Sequence, residues 1–455
     1  MPVRMEGLRR AGHLVWEEEG MLLCWGGVKE HRYKKPKGPN RMPTCGNSFH
    51  DPAEVITYCP ASQRWGSVRV GGEVPRPLAG AVGVPLGGGL LVWGGLALGE
   101  EYGYYTHSSS NELHFLSTVG RSWQRLRPQG RGPPASEKAV GWSWSNNAYF
   151  FSGWTDNKGE KRENVQDFQW EEEDVRGSGG GGGGRGGWHN ALTCYCPNSN
   201  KWHLPKTKGK PPRPRAAAAS AVVGDSAFIF GGRGRRGRMD DLHCLHLSSL
   251  TWTEVAACSW PDPWAASSAL RPLPRALHTL THLPGTSLLA LYGGLGPIHA
   301  PLQDLWLLET DSLEWEEVEL AYDHGEVRCW HAAVMLGGEL LVHSGLTQEY
   351  YLTRQVSFLI FMLYQHPLSR PDLDDHCEGV MHLRLGLRSL ARLALEVVDQ
   401  LVVTEKLDRR EVEQLPKRLV DMIIGEKVVE GSVGAATGGD GEETEYCRER
   451  LRAGV

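Results

Sequence analysis

The sequence predicts an all-β chain built by radial repetition, a six-bladed β-propeller followed by a short C-terminal helical segment, and three observations lead there. An apolar, strand-like run closed by Gly-Gly recurs at Leu23-Cys24-Trp25-Gly26-Gly27, Leu91-Val92-Trp93-Gly94-Gly95, Ile229-Phe230-Gly231-Gly232 and Leu291-Tyr292-Gly293-Gly294. Phe150-Phe151-Ser152-Gly153 and Val342-His343-Ser344-Gly345 are degenerate copies of it, which brings the total to six. Around the phrase the grammar repeats as well. Several copies follow an Arg and a small-residue strand with a His, as in Arg10-Ala11-Gly12-His13, Arg275-Ala276-Leu277-His278 and Arg328-Cys329-Trp330-His331, and most precede a second strand and a Trp: Trp65, Trp123, Trp202, Trp252 and Trp315.

Each element has a physical reason. The Gly pair supplies positive-φ backbone where a side chain would clash, and the Trp is a large apolar anchor. A sheet of four short strands cannot bury its own faces, whereas six such sheets packed around an axis bury one another and leave only short edges. The Gly-Gly copies are spaced irregularly, about 50 to 80 residues apart, so the loops carry insertions. These fall near 155–187 and 352–376, which sets the propeller at 9–385. The first insertion holds the acidic Glu171-Glu172-Glu173-Asp174 and the glycine run 179–184, a flexible tether and not a phosphate loop, since no Gly-Lys-Ser/Thr follows it. The second contains the apolar run 356–364 where the sixth sheet should continue; it reads either as an extra strand or as an irregularity of splicing.

Composition narrows the function. With 49 Lys and Arg against 54 Asp and Glu the net charge is −5, which offers no global attraction to nucleic acid or to an anionic membrane. The ten cysteines form no CxxC pair and read as reduced thiols. The start of the chain lacks an apolar leader, and the longest apolar run is about half of a bilayer span. A protein of the nucleus and cytoplasm is the expectation. His13, His278 and His331 recur at one repeat position and read as structural strand residues, so no metal or cofactor is expected. No GxSxG, HExxH or Cys/His/Asp arrangement suggests catalysis.

From Leu387 the period changes. Leu387, Leu390, Leu393, Ala394, Val397, Val398 and Leu401 share one helical face, and a second amphipathic stretch runs over 415–424, giving a helical segment at 386–425. Pattern alone fits a pair of helices capping the last blade. The Gly-rich, acidic remainder, 426–455, reads as a disordered tail.

The Gly-Gly pair, the preceding Arg/His strand and the spaced Trp together resemble Kelch repeats over roughly residues 9 to 345. The first helix, Ser389 to Val398, resembles a BC box, which docks Elongin C through apolar residues at i, i+4 and i+8, here Leu390, Ala394 and Val398; Ala394 stands where that box usually has Cys. Leu415, Pro416, Leu419 and Ile423 match a Cullin-2 box about 20 residues on. Taken whole, with Phe230-Gly231-Gly232-Arg233, Arg238-Met239-Asp240-Asp241-Leu242-His243, Gly187-Trp188-His189-Asn190 and Arg328-Cys329-Trp330-His331-Ala332, the chain resembles the Kelch-domain substrate receptors of Cullin-2 ubiquitin ligases that read C-terminal Gly degrons.

That resemblance implies Elongin B/C and Cullin-2 as partners, target proteins held by their free C-termini, and no chemistry performed by the chain itself. It implies Arg233 and Arg238 as the carboxylate-binding pair, a role that suits the planar, permanently charged guanidinium. It implies Lys138, Trp154 and Trp188 as pocket walls, with Trp154 in place of a Tyr, and Ala276 in place of a Ser whose hydroxyl is therefore missing. The alternatives are a Kelch interaction scaffold unrelated to ubiquitin and, third, a radical-copper oxidase, which needs a Tyr/His/Cys cluster and a secretion signal.

Overall fold

The fold is taken from a computed structural model, which describes residues 8–34, 44–101, 104–156, 168–172, 186–258, 271–297, 299–320, 326–347 and 380–383. Every regular element among them is a β-strand, and the strands assemble six antiparallel blades. Blade 1 is Leu14–Glu18, Met21–Trp25, Glu54–Cys59 and Arg64–Arg69. Blade 2 is Val82–Pro85, Gly89–Trp93, Leu113–Ser117 and Ser122–Leu126; blade 3 is Val140–Trp144, Asn147–Thr155, Gly187–Cys196 and Lys201–His203. Blade 4 comprises Ala219–Val223, Ser226–Gly234, Gly237–His246 and Thr251–Ala256, and blade 5 Thr279–His282, Leu288–Leu295, Pro301–Glu309 and Glu314–Val318. Blade 6 shows three strands, Ala332–Leu336, Glu339–His343 and Val380–Leu383. The predicted insertion at 352–376, the helical segment at 386–425 with all its docking residues, and the tail lie outside the described residues.

Two closed circuits of backbone hydrogen bonds hold the blades around the axis. In the inner one, the residue just before each blade's first strand donates its N–H to its counterpart one blade back. Gly80 donates to the carbonyl of Gly12, Lys138 to Gly80, Ala217 to Lys138, Leu277 to Ala217, Trp330 to Leu277 and Gly12 to Trp330, at 2.7–2.9 Å. All six residues have left-handed φ, between 54° and 64°. In the second circuit the last residue of each Gly-Gly copy donates to the next blade: Gly27 to Leu78, Gly95 to Ser136, Gly153 to Arg215, Gly232 to Arg275, Gly294 to Arg328 and Gly345 to Arg10, at 2.8–2.9 Å.

This circuit explains the degenerate copies. The first position of the pair takes left-handed φ even as Ser152 (61°) or Ser344 (51°), whereas the second has φ of 88–137° and packs against the segment leading into its own blade. A Cβ on Gly294 would lie 2.6 Å from the His278 Cβ. The recurring arginines serve the same corner: Arg10, Arg215, Arg275 and Arg328 are buried and donate to the carbonyls of Gly26, Gly231, Gly293 and Ser344. Arg215 and Arg275 also clasp Asp241 and Asp304 in bidentate fashion at 2.6–2.8 Å.

The core lies between blades. In blades 1, 3, 4 and 6 the residue before the Gly-Gly copy packs on the Trp of the following blade: Trp25 on Trp123 (4.9 Å between centroids), Phe151 on Trp252 (5.1 Å), Phe230 on Trp315 (5.2 Å) and His343 on Trp65 (5.3 Å). No described cysteine forms a disulfide.

Two predictions follow from this frame. Gly294→Ala is expected to cost roughly 2–3 kcal/mol, because strain and a backbone-proximal clash coincide there. Gly285→Ala, at φ 81° with nothing within 4 Å, is expected to cost about 1 kcal/mol from strain alone. Chemical denaturation of the two variants checks the difference. The second concerns acid. Burial, acting before the nearby charges, holds His13, His278, His331 and His343 well below the ordinary imidazole range, His331 and His343 at about 3. These imidazoles stay neutral when folded but protonate in the unfolded chain below about pH 6.5. Their contribution is complete above that pH and is lost as pH falls toward the folded values. Melting temperature is therefore expected to drop from about pH 7 to about pH 4, less steeply in His331→Gln; an unchanged slope in that variant would count against the assignment.

Candidate functional site at the Gly-Gly end

The strands that carry the Gly-Gly copies continue past them, so the residue after the pair stands at the same end of every blade and pairs with the segment leading into its own blade. Val28 pairs with Ala11, Leu96 with Ala79, Trp154 with Glu137, Arg233 with Ala216, Leu295 with Ala276 and Leu346 with Cys329. Trp154 and Arg233 thus occupy equivalent positions in blades 3 and 4. Their cross-strand partners are also equivalent, since Trp154 faces Trp188 and Arg233 faces Arg238. A register shift at the second Gly in both blades creates this geometry, because one extra residue on the partner strand rotates the pair that follows.

The structure places Arg233 and Arg238 on the two arms of a hairpin, directly opposite each other, with Arg235 and Arg236 at its exposed tip. Arg238 is buried at 8% exposure, and its Nη2 lies 2.9 Å from His299 Nδ1. Burial first, then Arg238 and Arg233, depresses the His299 pKa, so this imidazole is neutral and accepts from the guanidinium. The Arg233 guanidinium lies over the Trp188 ring, 5.8 Å from its centroid, a cation–π contact that holds the charge in place without neutralising it. Trp188 itself is buried.

Lys138 belongs to the inner circuit, third of the six residues, and Trp330 is the sixth, on the opposite side of the ring. The Lys138 Nζ reaches across to 5.1 Å from the Trp330 ring and also pairs with Glu137 at 3.1 Å. Trp330 passes over Gly12, where a Cβ would meet its ring at 2.5 Å, and beside Gly80 at 3.6 Å. Together the two side chains span the axial opening at the level of the circuit. Ala276 is buried and exchanges backbone hydrogen bonds with Leu295; the preceding Arg275 donates its N–H to Met239, next to Arg238.

The six pocket residues read from sequence therefore gather at one end of the ring, on blades 3 to 5 and the axis. Sequence reasoning missed Trp330 and His299. Trp330 had a signal: it is the one aromatic at a repeat position otherwise held by Gly12, Gly80, Lys138, Ala217 and Leu277. A cleft of about 390 Å³ lies on the flank of the same hairpin and is lined by Glu171, Lys210, Arg235, Arg236, Asp241 and Cys258 among others; none of the six residues lines it. Donors of fixed positive charge, flanked by aromatic faces and backed by a neutral imidazole, suit a small anion attached to an apolar or backbone-like group.

Comparison with known proteins places this geometry in context. Residues 12–269 and 177–345 match the model of the KLHDC2/KLHL20/DRC7 Kelch-repeats domain, which is a repeat domain and not a catalytic one. The chain is 26% identical to Kelch domain-containing protein 2 of Bos taurus over 396 residues, 86% of this chain and 84% of that protein. It is 26% identical to Kelch domain-containing protein 1 of Homo sapiens over 423 residues, 90% of this chain and 94% of that one. A shorter similarity, 32% over 145 residues, links it to acyl-CoA-binding domain-containing protein 5 of Arabidopsis thaliana, of which it covers 20%.

Proposed function

The chain belongs to the KLHDC2/KLHL20/DRC7 Kelch-repeats family, and from that premise we propose that it is a substrate receptor that holds the free C-terminus of another protein at the Gly-Gly end of its ring. The observation that carries this reading is the cross-strand pair of Arg233 and Arg238 beside the axis. Two guanidiniums on facing strands present several N–H donors to one small region, and a terminal carboxylate has four lone-pair directions to accept them. An internal peptide offers no such charge and has further chain in the way.

Trp154 and Trp188 flank the pair and act as a steric filter favouring small terminal residues such as glycine. Ala276, without the hydroxyl of the resembling receptors, leaves the carboxylate to the arginines alone and raises their share of the affinity. Lys138 is close enough to the axis to meet a backbone carbonyl of the incoming chain. The chain makes and breaks no bond itself. Its C-terminal segment docks Elongin B/C and Cullin-2 through Leu390, Ala394, Val398, Leu415, Pro416, Leu419 and Ile423, and ubiquitin transfer takes place elsewhere in that assembly, in the nucleus and cytoplasm.

Fluorescence titration with peptides ending in Gly-Gly tests the first half. Amidating the terminus, or making Arg238→Ala, is expected to weaken binding about 10–100-fold, the value of a charge-assisted hydrogen-bonded pair; equal affinity for amidated peptide would sink the carboxylate reading. Co-precipitation tests the second half. Leu390→Glu with Leu415→Glu is expected to abolish recovery of Elongin C and Cullin-2 while peptide affinity stays unchanged, and undiminished recovery would separate this chain from the ligase.

A further inference from the structure

The ring closes where blade 6 meets blade 1, and this seam differs chemically from the others. At five Gly-Gly copies the residue immediately before the pair is aromatic: Trp25, Trp93, Phe151, Phe230 and Tyr292. In blade 6 it is His343. One residue earlier stand Val92, Phe150, Ile229, Leu291 and Val342, all apolar, and in blade 1 Cys24. Both departures fall at the same junction, and there they meet His13.

The three side chains converge in the interior. His13 Nε2 lies 2.8 Å from His343 Nδ1, Cys24 Sγ lies 3.9 Å from the same Nδ1, and all three atoms are within 4.8 Å of one another. Cys24 and His343 are fully buried and His13 is 6% exposed. As a purely structural arrangement this is poor: whichever tautomers the two imidazoles adopt, one N–H of the pair points at no acceptor, for His13 Nδ1 and His343 Nε2 both lack a partner. At the neighbouring seams His278 and His331 meet the rings of Phe230 and Tyr292 and also have ring nitrogens without a hydrogen-bond partner, so what sets this seam apart is the convergence of three ligand atoms.

We propose that His13, Cys24 and His343 form a binding site for a soft monovalent cation, Cu(I), which staples blade 6 to blade 1. Sequence reading took His13 as structural; His343 and Cys24, more than 300 residues apart in the chain, supply what it could not see. A first-row d¹⁰ ion sits about 2.0–2.1 Å from imidazole nitrogen and about 2.3 Å from thiolate sulfur, so in trigonal coordination the two nitrogens part from 2.8 Å to about 3.5 Å and the longest edge of the ligand triangle, up to 4.8 Å, closes to about 3.8 Å.

Charge and coordination choose the ion. The guanidiniums of Arg10 and Arg328 act on His343, and His50 and His331 also face His13. Arg328 is itself paired with Glu326 at 2.6 Å, so the ion's own excess charge decides: a divalent ion with one thiolate adds a net positive charge to this dry place, a costly burial, whereas Cu(I) with one thiolate adds none. Zinc also demands a fourth ligand, and the cluster around Cys24 is apolar: Leu8, Leu22, Ile56, Tyr58, Leu336 and Leu341. Thiolate and imidazole are ligands that soft copper accepts. Burial raises the Cys24 thiol to about 11, so the empty site holds Cys–SH; binding exchanges that proton for the metal, Cys–SH plus Cu(I) giving Cys–S–Cu and a proton released to buffer, with no change of oxidation state.

A staple has a use here. Among the described residues no strand from one end of the chain completes the sheet at the other, so closure rests on side-by-side contacts and on backbone bonds such as those from Gly345 to Arg10 and from Gly12 to Trp330.

The test is an anaerobic titration of the full chain with Cu(I) buffered by bicinchoninate, followed by thermal melting. Cys24→Val and His343→Phe install residues that other blades carry at these positions, so the fold accommodates them. The wild type is expected to withdraw one more equivalent of Cu(I) than either variant and to melt about 5 °C higher with copper, a shift absent from the variants and retained in His278→Phe. Equal copper uptake and equal shifts in wild type, Cys24→Val and His343→Phe would overturn the proposal, as would displacement of Cu(I) from the wild type by equimolar Zn²⁺.

Discussion

Everything at the Gly-Gly end depends on one closed circuit of six backbone hydrogen bonds, from Gly12 through Gly80, Lys138, Ala217, Leu277 and Trp330 back to Gly12. Each bond joins a blade directly to its neighbour, backbone to backbone. A backbone bond has fixed length and direction, so six in a closed loop fix the radius and leave each blade little freedom to tilt. The left-handed φ shared by all six residues aims N–H and C=O along the circuit, tangential to the ring. Non-glycine residues pay for that conformation with about 1 kcal/mol each, an amount that closure offsets.

Because the circuit is made of backbone, it leaves its side chains unassigned. Three positions are Gly or Ala, Leu277 belongs to the apolar cluster near the axis, and Lys138 and Trp330 reach over the opening. The same holds for the position after each Gly-Gly, where Trp154 and Arg233 alternate with Val28, Leu96, Leu295 and Leu346. A rigid frame with interchangeable side chains thus carries an aromatic and a basic residue in blades 3 and 4 at a position that is apolar in the other four.

This division explains what the sequence could and could not disclose. The second Gly of each copy was legible because a Cβ there collides with the segment leading into its own blade, as at Gly294; the first was less so, since Ser152 and Ser344 hold the same conformation. The spaced Trp residues were legible as anchors because they pack on the residue before Gly-Gly one blade away. The circuit itself was not: Gly, Lys, Ala, Leu and Trp share no chemistry, only φ. His299 was hidden for a related reason, since nothing in sequence tied residue 299 to Arg238 across two blades. The seam triad of His13, Cys24 and His343 requires knowing that the ring closes and in which register.

The arginines show why composition is a poor guide to a site on such a scaffold, and position a good one. Arg10, Arg215, Arg275 and Arg328 carry the same charge as Arg233 and Arg238, yet they donate to the carbonyl of the first residue of each pair and, for Arg215, Arg275 and Arg328, to Asp241, Asp304 and Glu326. Asp241, held well below the usual carboxylate range chiefly by Arg215 against the opposing effect of its own burial, neutralises its arginine inside the fold. These residues precede the inner strand and point into a corner that recurs in the repeat. Arg233 and Arg238 lie just beyond the corner, where the repeat prescribes a backbone path and no side chain, and there an aromatic ring and a neutral imidazole meet them. Position relative to Gly-Gly therefore sorts arginines that the repeat's corner requires from those that it does not prescribe.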